Sequence, residues 1–184
     1  MPRIKPLEPP YARHVQETFD AVMKGNEPLL LFRTVAVSER AWAKFRGGSL
    51  LDRGPLSLRD REIVIDRTTA LANCEYEWSV HVAVFAEHAK LTEEQIIATR
   101  TAKSDAPCWN DTERALISAV DALHDRATLD QAEFDRLRVH YDDAQILEIL
   151  MLCGFYRTVS YVANALDLPL EAKGARFPAA AGRS

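Results

Sequence analysis

Glycine is scarce in this chain, with seven among 184 residues, and the strong turn signals lie far apart. That scarcity leaves little room for β-strands and predicts long helices joined by short loops. The three cysteines, Cys74, Cys108 and Cys153, are odd in number and widely spaced, which argues against a disulfide framework. No apolar run near Met1 resembles a signal peptide, and no stretch approaches the roughly 18 consecutive apolar residues of a membrane-spanning helix. A soluble cytoplasmic protein without a membrane partner is therefore expected. With a formal net charge of −4 and a pI near 5.8, the chain has no electrostatic footprint for nucleic acid, whose binding needs clustered Lys and Arg to displace counterions. A Gly-rich phosphate loop and a Gly-x-Ser-x-Gly elbow are also missing.

What is present suits one compact unit. A hydrophobic content of 47% is enough to bury a core without a metal or disulfide staple, so residues 1–184 read as a single domain. The four prolines between Pro2 and Pro10 predict an extended start over residues 1–10, with a first helix near Tyr11. Leu31, Val35, Trp42 and Phe45 recur at helical spacing within 28–45, and Gly47-Gly48 follows as a stop. Ser57 with Asp60 marks the start of a helix reaching Ala72, and Asn73 is placed to cap the next one, from Cys74 to about Lys90. Thr92 with Gln95, Asn110 with Glu113 and Asp142 with Gln145 open helices near 92–102, 110–125 and 142–166, with a shorter one near 130–140. The last long helix is apolar on nearly every side, which suits the middle of a bundle or a subunit contact. Residues 171–184 are poor in core formers and are expected to be mobile.

One helical face gathers reactive side chains. Cys74, Glu77 and His81 are separated by three and then four residues, so all three share a face of the helix that follows Asn73. A cysteine at a helix start meets unpaired amides and the positive end of the macrodipole, both of which favour the thiolate. Glu77 and His81 form a carboxylate–imidazole pair able to orient the ring, raise its proton affinity and move protons. The same spacing also suits a small core cysteine beside an ordinary solvated pair. Glu62, twelve residues before Cys74, reaches His81 only if the chain folds back at Asn73; its arginine-rich surroundings, Arg59 to Arg67, suit a surface salt-bridge cluster equally well.

Metal binding is not expected. Cys74, Glu77 and His81 amount to the ligands of one helix, lacking a second spaced group such as Cys-x-x-Cys. Trp109, beside Cys108, either anchors a loop over a pocket or caps the core, and Cys153 reads as inert packing.

The run Leu56-Ser57-Leu58-Arg59-Asp60-Arg61-Glu62-Ile63-Val64, then Cys74-Glu75-Tyr76-Glu77-Trp78 and His81, then Gly154-Phe155-Tyr156 through Asn164-Ala165-Leu166, resembles the carboxymuconolactone decarboxylase and alkyl hydroperoxidase D-like family. The resemblance spans nearly the whole chain. It implies an all-α bundle of six to eight helices, assembled as a homo-oligomer with active sites at or near subunit contacts. In the peroxidase branch the pattern is a glutamate, then Cys-x-x-Cys, then a histidine four residues on. Glu62, Cys74 and His81 match it, and Glu77 stands where the second cysteine would be. In that branch the second cysteine attacks peroxide and the first resolves it, so two-cysteine turnover is not implied. At most Cys74 would form a sulfenic acid reduced by an external thiol. The decarboxylase branch resembles this sequence at Glu77, Trp78 and His81.

The leading expectation is a cofactor-independent enzyme in which Glu77 and His81 transfer protons on a small carboxylated or lactone substrate, with Glu62 and Cys74 beside them. The alternatives are a peroxidase using Cys74 alone, and a non-catalytic oligomer that binds a small ligand.

Overall fold

The computed structural model describes residues 2–178. Nine helices and no strand occur among them: α1 Arg13–Met23, α2 Leu30–Val35, α3 Glu39–Gly48, α4 Leu58–Leu71, α5 Glu75–Phe85, α6 Glu93–Thr101, α7 Asp111–Arg126, α8 Gln131–Arg138 and α9 Asp143–Ala165. The all-α expectation holds. The extra helix arises because the stretch predicted as one helix over 28–45 breaks at Ser38, whose hydroxyl accepts from the Ala41 amide and starts α3 afresh.

Local capping chemistry sets most other boundaries. Ser57 caps α4 through the Asp60 amide. Reciprocal capping boxes open α6 at Thr92 and Gln95, α7 at Asn110 and Glu113, α8 at Asp130 and Glu133, and α9 at Asp142 and Gln145. Asn73 is an exception. Its backbone is left-handed at φ 52° and its side-chain oxygen accepts from Arg100 Nη2 at 2.8 Å. Cys74 is therefore the N-cap of α5. The left-handed residue reverses the chain after α4 and lays α5 back along it.

Helix α4 is the hub, packing against α5, α6, α7 and α9. Ile63, Val64 and Ile65 are fully buried, and so is Glu62. The arginines around it brace the bundle from within, contrary to the surface-cluster reading. Arg67 pairs with Asp121 at 2.6 Å and donates to the Thr99 and Ala102 carbonyls, while Arg59 pairs with Glu113 at 2.6 Å. In each of these partly buried pairs the buried member, Glu113 or Arg67, has a charge that would be costly without its partner.

Helix α9 is long and apolar enough to cross a membrane by length and composition. Here it buries Ile146, Ile149, Leu152, Tyr156, Val159 and Ala163 against the bundle and leaves Leu147, Met151 and Tyr161 exposed.

A smaller apolar cluster of Val15, Phe19, Ala36 and Trp42, supported by Phe32 and Phe45, lies apart from the main core. The extended start is tied to its own chain, with Arg3 N–H donating to Leu166 O and Leu7 N–H to Arg33 O. The end is also held, although it was expected to be mobile from residue 171. Glu171 Oε1 accepts from the Leu30 amide and from Tyr76 OH, the Ala175 amide donates to Ser79 O, and Phe177 packs on Trp78 and under the Arg100 guanidinium. Gly174 allows this close path, since a Cβ there would meet Ser79 Oγ at 2.7 Å. Residues 179–184 of the tail, and Met1, lie outside the described residues.

Candidate active site

Folding α5 back along α4 brings Glu62 to His81 with both side chains buried. His81 Nδ1 and Glu62 Oε2 are 2.7 Å apart. On the other edge of the ring, Nε2 lies 3.4 Å from Glu77 Oε1, one helical turn earlier on α5. Glu62 is anchored in turn by Arg61 Nε at 3.0 Å. The result is a line of groups, Arg61, Glu62, His81 and Glu77, sunk between α4, α5 and α9. The imidazole stands edge-on to Tyr156, with centroids 5.0 Å apart, and is tilted against Phe85 at 5.3 Å.

Burial alone would push the imidazolium down. The hydrogen bonds to Glu62 and Glu77, with their charges, outweigh it and raise the His81 pKa from 6.5 to about 10. His81 is thus a cation at neutral pH, donating from both ring nitrogens. Neither nitrogen offers a lone pair to a metal, and among the described residues no three His, Cys, Asp or Glu side chains converge as ligands.

Glu77 holds the cavity end of the line. Its side chain is 7% accessible, and its Oε2 has no hydrogen-bond partner among the described residues. A buried carboxylate oxygen left without a partner is costly, and such an atom is a reason to look for a ligand. Beside it opens a cavity of about 890 Å³. Phe32, Trp42 and Phe45 of the small cluster form one wall, while Val80, Phe85 and Tyr156 form the other. The end segment at Glu171, Ala172 and Lys173 closes one side.

Asp66, one turn along α4 from Glu62, was not singled out by the sequence. It is buried, its Oδ1 lacks a partner among the described residues, and burial together with the charge of Glu62 holds its carboxyl well above the usual range. The i, i+4 spacing from Glu62 is the signal that points to it. Tyr156, from the run Gly154-Phe155-Tyr156 that carries the resemblance, and Glu171, which has no local signal, complete the cavity from distant segments.

Cys74 is brought beside Glu77, but not as an activated thiol. It is fully buried, and burial pushes its pKa up to about 11 although the Glu77 and Tyr76 amides and Ser160 contribute hydrogen bonds that lower it. The helix-start effect expected from the sequence operates and is outweighed. Treating the reduced protein with one equivalent of peroxide and dimedone is expected to leave Cys74 unlabelled, and Cys153 too, whose thiol burial pushes up to about 12, with any adduct on half-buried Cys108; rapid labelling of Cys74 would contradict this. Trp109 is buried in the main core and does not line this cavity, so it caps the core.

Comparison with known proteins agrees with this architecture. The carboxymuconolactone decarboxylase family model matches residues 38–122, which span α3 to most of α7 and include Glu62, Cys74, Glu77 and His81. Comparison with curated proteins gives no match. Among solved structures, an uncharacterised peroxidase-related protein from Silicibacter sp. TM1040 is 18% identical over 96% of both chains, with a TM-score of 0.82. An alkylhydroperoxidase AhpD core protein from Ralstonia eutropha JMP134 is 18% identical over 93% of both chains, also at 0.82. The debrominase Bmp8 in complex with 2,3,4-tribromopyrrole is 18% identical over 92% of both chains, at 0.77. Residues 38–122 are thus similar to the carboxymuconolactone decarboxylase family, and the chain has the alkylhydroperoxidase D-like fold.

Proposed function

We propose that this protein is a cofactor-independent acid–base enzyme that moves a proton to or from carbon on a small carboxylated or lactone substrate. The observation that carries the reading is the unpartnered Glu77 Oε2 at the cavity, backed by a protonated His81 that Glu62 holds from behind. Glu77 is the group that touches the reacting carbon. When it takes a proton, the His81 cation loses its partner on that side and keeps the one at Glu62; when it gives the proton up, the carboxylate is restored beside the cation. A proton shift along an unsaturated lactone acid is one reaction this chemistry serves, because the proton that Glu77 takes from one carbon can be returned to another. Glu62 and Arg61 are positioning residues, and Cys74 is a neighbour of Glu77.

The size of the cavity suits such a substrate. The debrominase Bmp8, of the same fold, binds a five-membered ring in 2,3,4-tribromopyrrole, which supports a ring-sized ligand. A homo-oligomer is part of the proposal, supported by the exposed Leu147, Met151 and Tyr161 of α9. The test is to incubate a panel of unsaturated lactone acids with the protein in D2O and follow deuterium entry and product formation by NMR. Enzyme-dependent exchange that disappears in Glu77→Gln supports the reading; unchanged exchange in a Glu77→Gln, His81→Ala double variant removes it.

A further inference from the structure

The cavity changes chemistry with depth. Its inner end is Glu77, His81 and Tyr156, all buried, and its walls are aromatic. At its mouth stand Lys24, Arg46 and Lys173, all exposed. They come from three distant segments. Lys24 ends α1 in a left-handed cap whose amide bonds back to Asp20. Arg46 lies over the Trp42 ring, 5.6 Å from its centroid, and Lys173 sits on the held end segment. None of the three makes an ion pair among the described residues. The carboxylates at the same mouth are Glu27 and Glu171, and Glu171 is already engaged by Tyr76 and the Leu30 amide. Cations therefore outnumber free carboxylates at the entrance, in a chain whose formal charge is −4.

We infer that the cavity takes a planar, largely apolar organic anion, held with its charged group at Lys24, Arg46 and Lys173 and its uncharged end against Glu77. Like charges repel strongly in a low-dielectric site, so a carboxylate lodged beside Glu77 is opposed, whereas at the mouth it meets cations. Flat aromatic walls suit a flat body. The carboxylate is then a handle that survives the reaction, and chemistry at Glu77 is a proton shift at the far end of the ligand. Which end reacts rests on the proton-transfer reading; where the anion binds does not.

The test is binding of 2-naphthoate and of its neutral isostere 2-naphthamide to the full chain by calorimetry, at low and high salt. Naphthoate is expected to bind roughly tenfold tighter or more, with the preference shrinking at high salt and vanishing in Arg46→Gln/Lys173→Gln, while naphthamide affinity is little changed. Equal affinities, a preference that persists in the double variant, or binding of neither probe would overturn the inference. Deuterium exchange on the lactone panel separates the two ideas. Exchange without an anion preference overturns this inference alone, and an anion preference without exchange supports it while removing the proton-transfer reading.

Discussion

Replacing Glu62 with alanine is expected to lower the stability of the fold by about 3–5 kcal/mol, because it strips a buried cation of its counter-charge. His81 would keep Glu77 only at 3.4 Å and lose its 2.7 Å partner, and Arg61, 13% accessible, would lose its carboxylate as well. Glu62→Gln keeps the shape and one acceptor, so its cost is expected to be smaller. The effect depends on pH. Pairing raises the His81 pKa from 6.5 to about 10, so the stabilisation it brings is complete below about pH 6.5 and is lost as pH rises through about 10. The gap between wild type and Glu62→Ala should therefore narrow in alkaline solution. Denaturant unfolding at pH 6 and pH 10 measures both effects; a loss under about 1 kcal/mol at pH 6, or a gap that widens with pH, would contradict the pairing.

The largest effect on chemistry is expected from Glu77→Gln. The substitution keeps volume and planarity and leaves His81 its 2.7 Å partner Glu62, so the protein should still fold, with a smaller loss of stability than Glu62→Ala. An amide cannot take or give a proton at neutral pH, and removing a positioned general acid–base group typically costs about 10²–10⁴-fold in rate. The expected result is that loss in deuterium exchange on whichever lactone acid the wild type turns over, with substrate affinity unchanged or slightly better. His81→Gln should fall as far, but with lower stability, because Glu62 and Glu77 are then both left without the cation. A Glu77→Gln variant within a factor of about three of wild type would place the chemistry elsewhere.

Features set by neighbours in the chain were legible in advance. The capping boxes at Thr92, Asn110 and Asp142 open helices where the spacing put them, because an N-cap needs only side chains within one turn. Ser38 carries the same kind of signal, since its hydroxyl accepts from the Ala41 amide and separates α2 from α3. Cys74, Glu77 and His81 were placed on one face by arithmetic alone. What the sequence could not supply was distance through space. Arg59 and Arg67 looked like surface charge because Glu113 and Asp121, their partners on α7, are each 54 residues away. The reach of Glu62 to His81 depends on the reversal at Asn73, and a left-handed asparagine was read as an N-cap. The depth of Cys74 depends on α9 packing over it, and burial reversed the expected direction of its pKa.

The proposed chemistry needs His81 to be a buried cation between two carboxylates, Glu62 and Glu77. Nitrogen-15 NMR of the imidazole, followed from pH 5 to pH 11, measures it directly. Both ring nitrogens of His81 are expected to stay protonated through neutral pH and to titrate near 10, well above the ordinary value of 6.5. A ring that is already a neutral tautomer at pH 7.5 would contradict the proton line from Glu62 to Glu77, and with it the proposed chemistry.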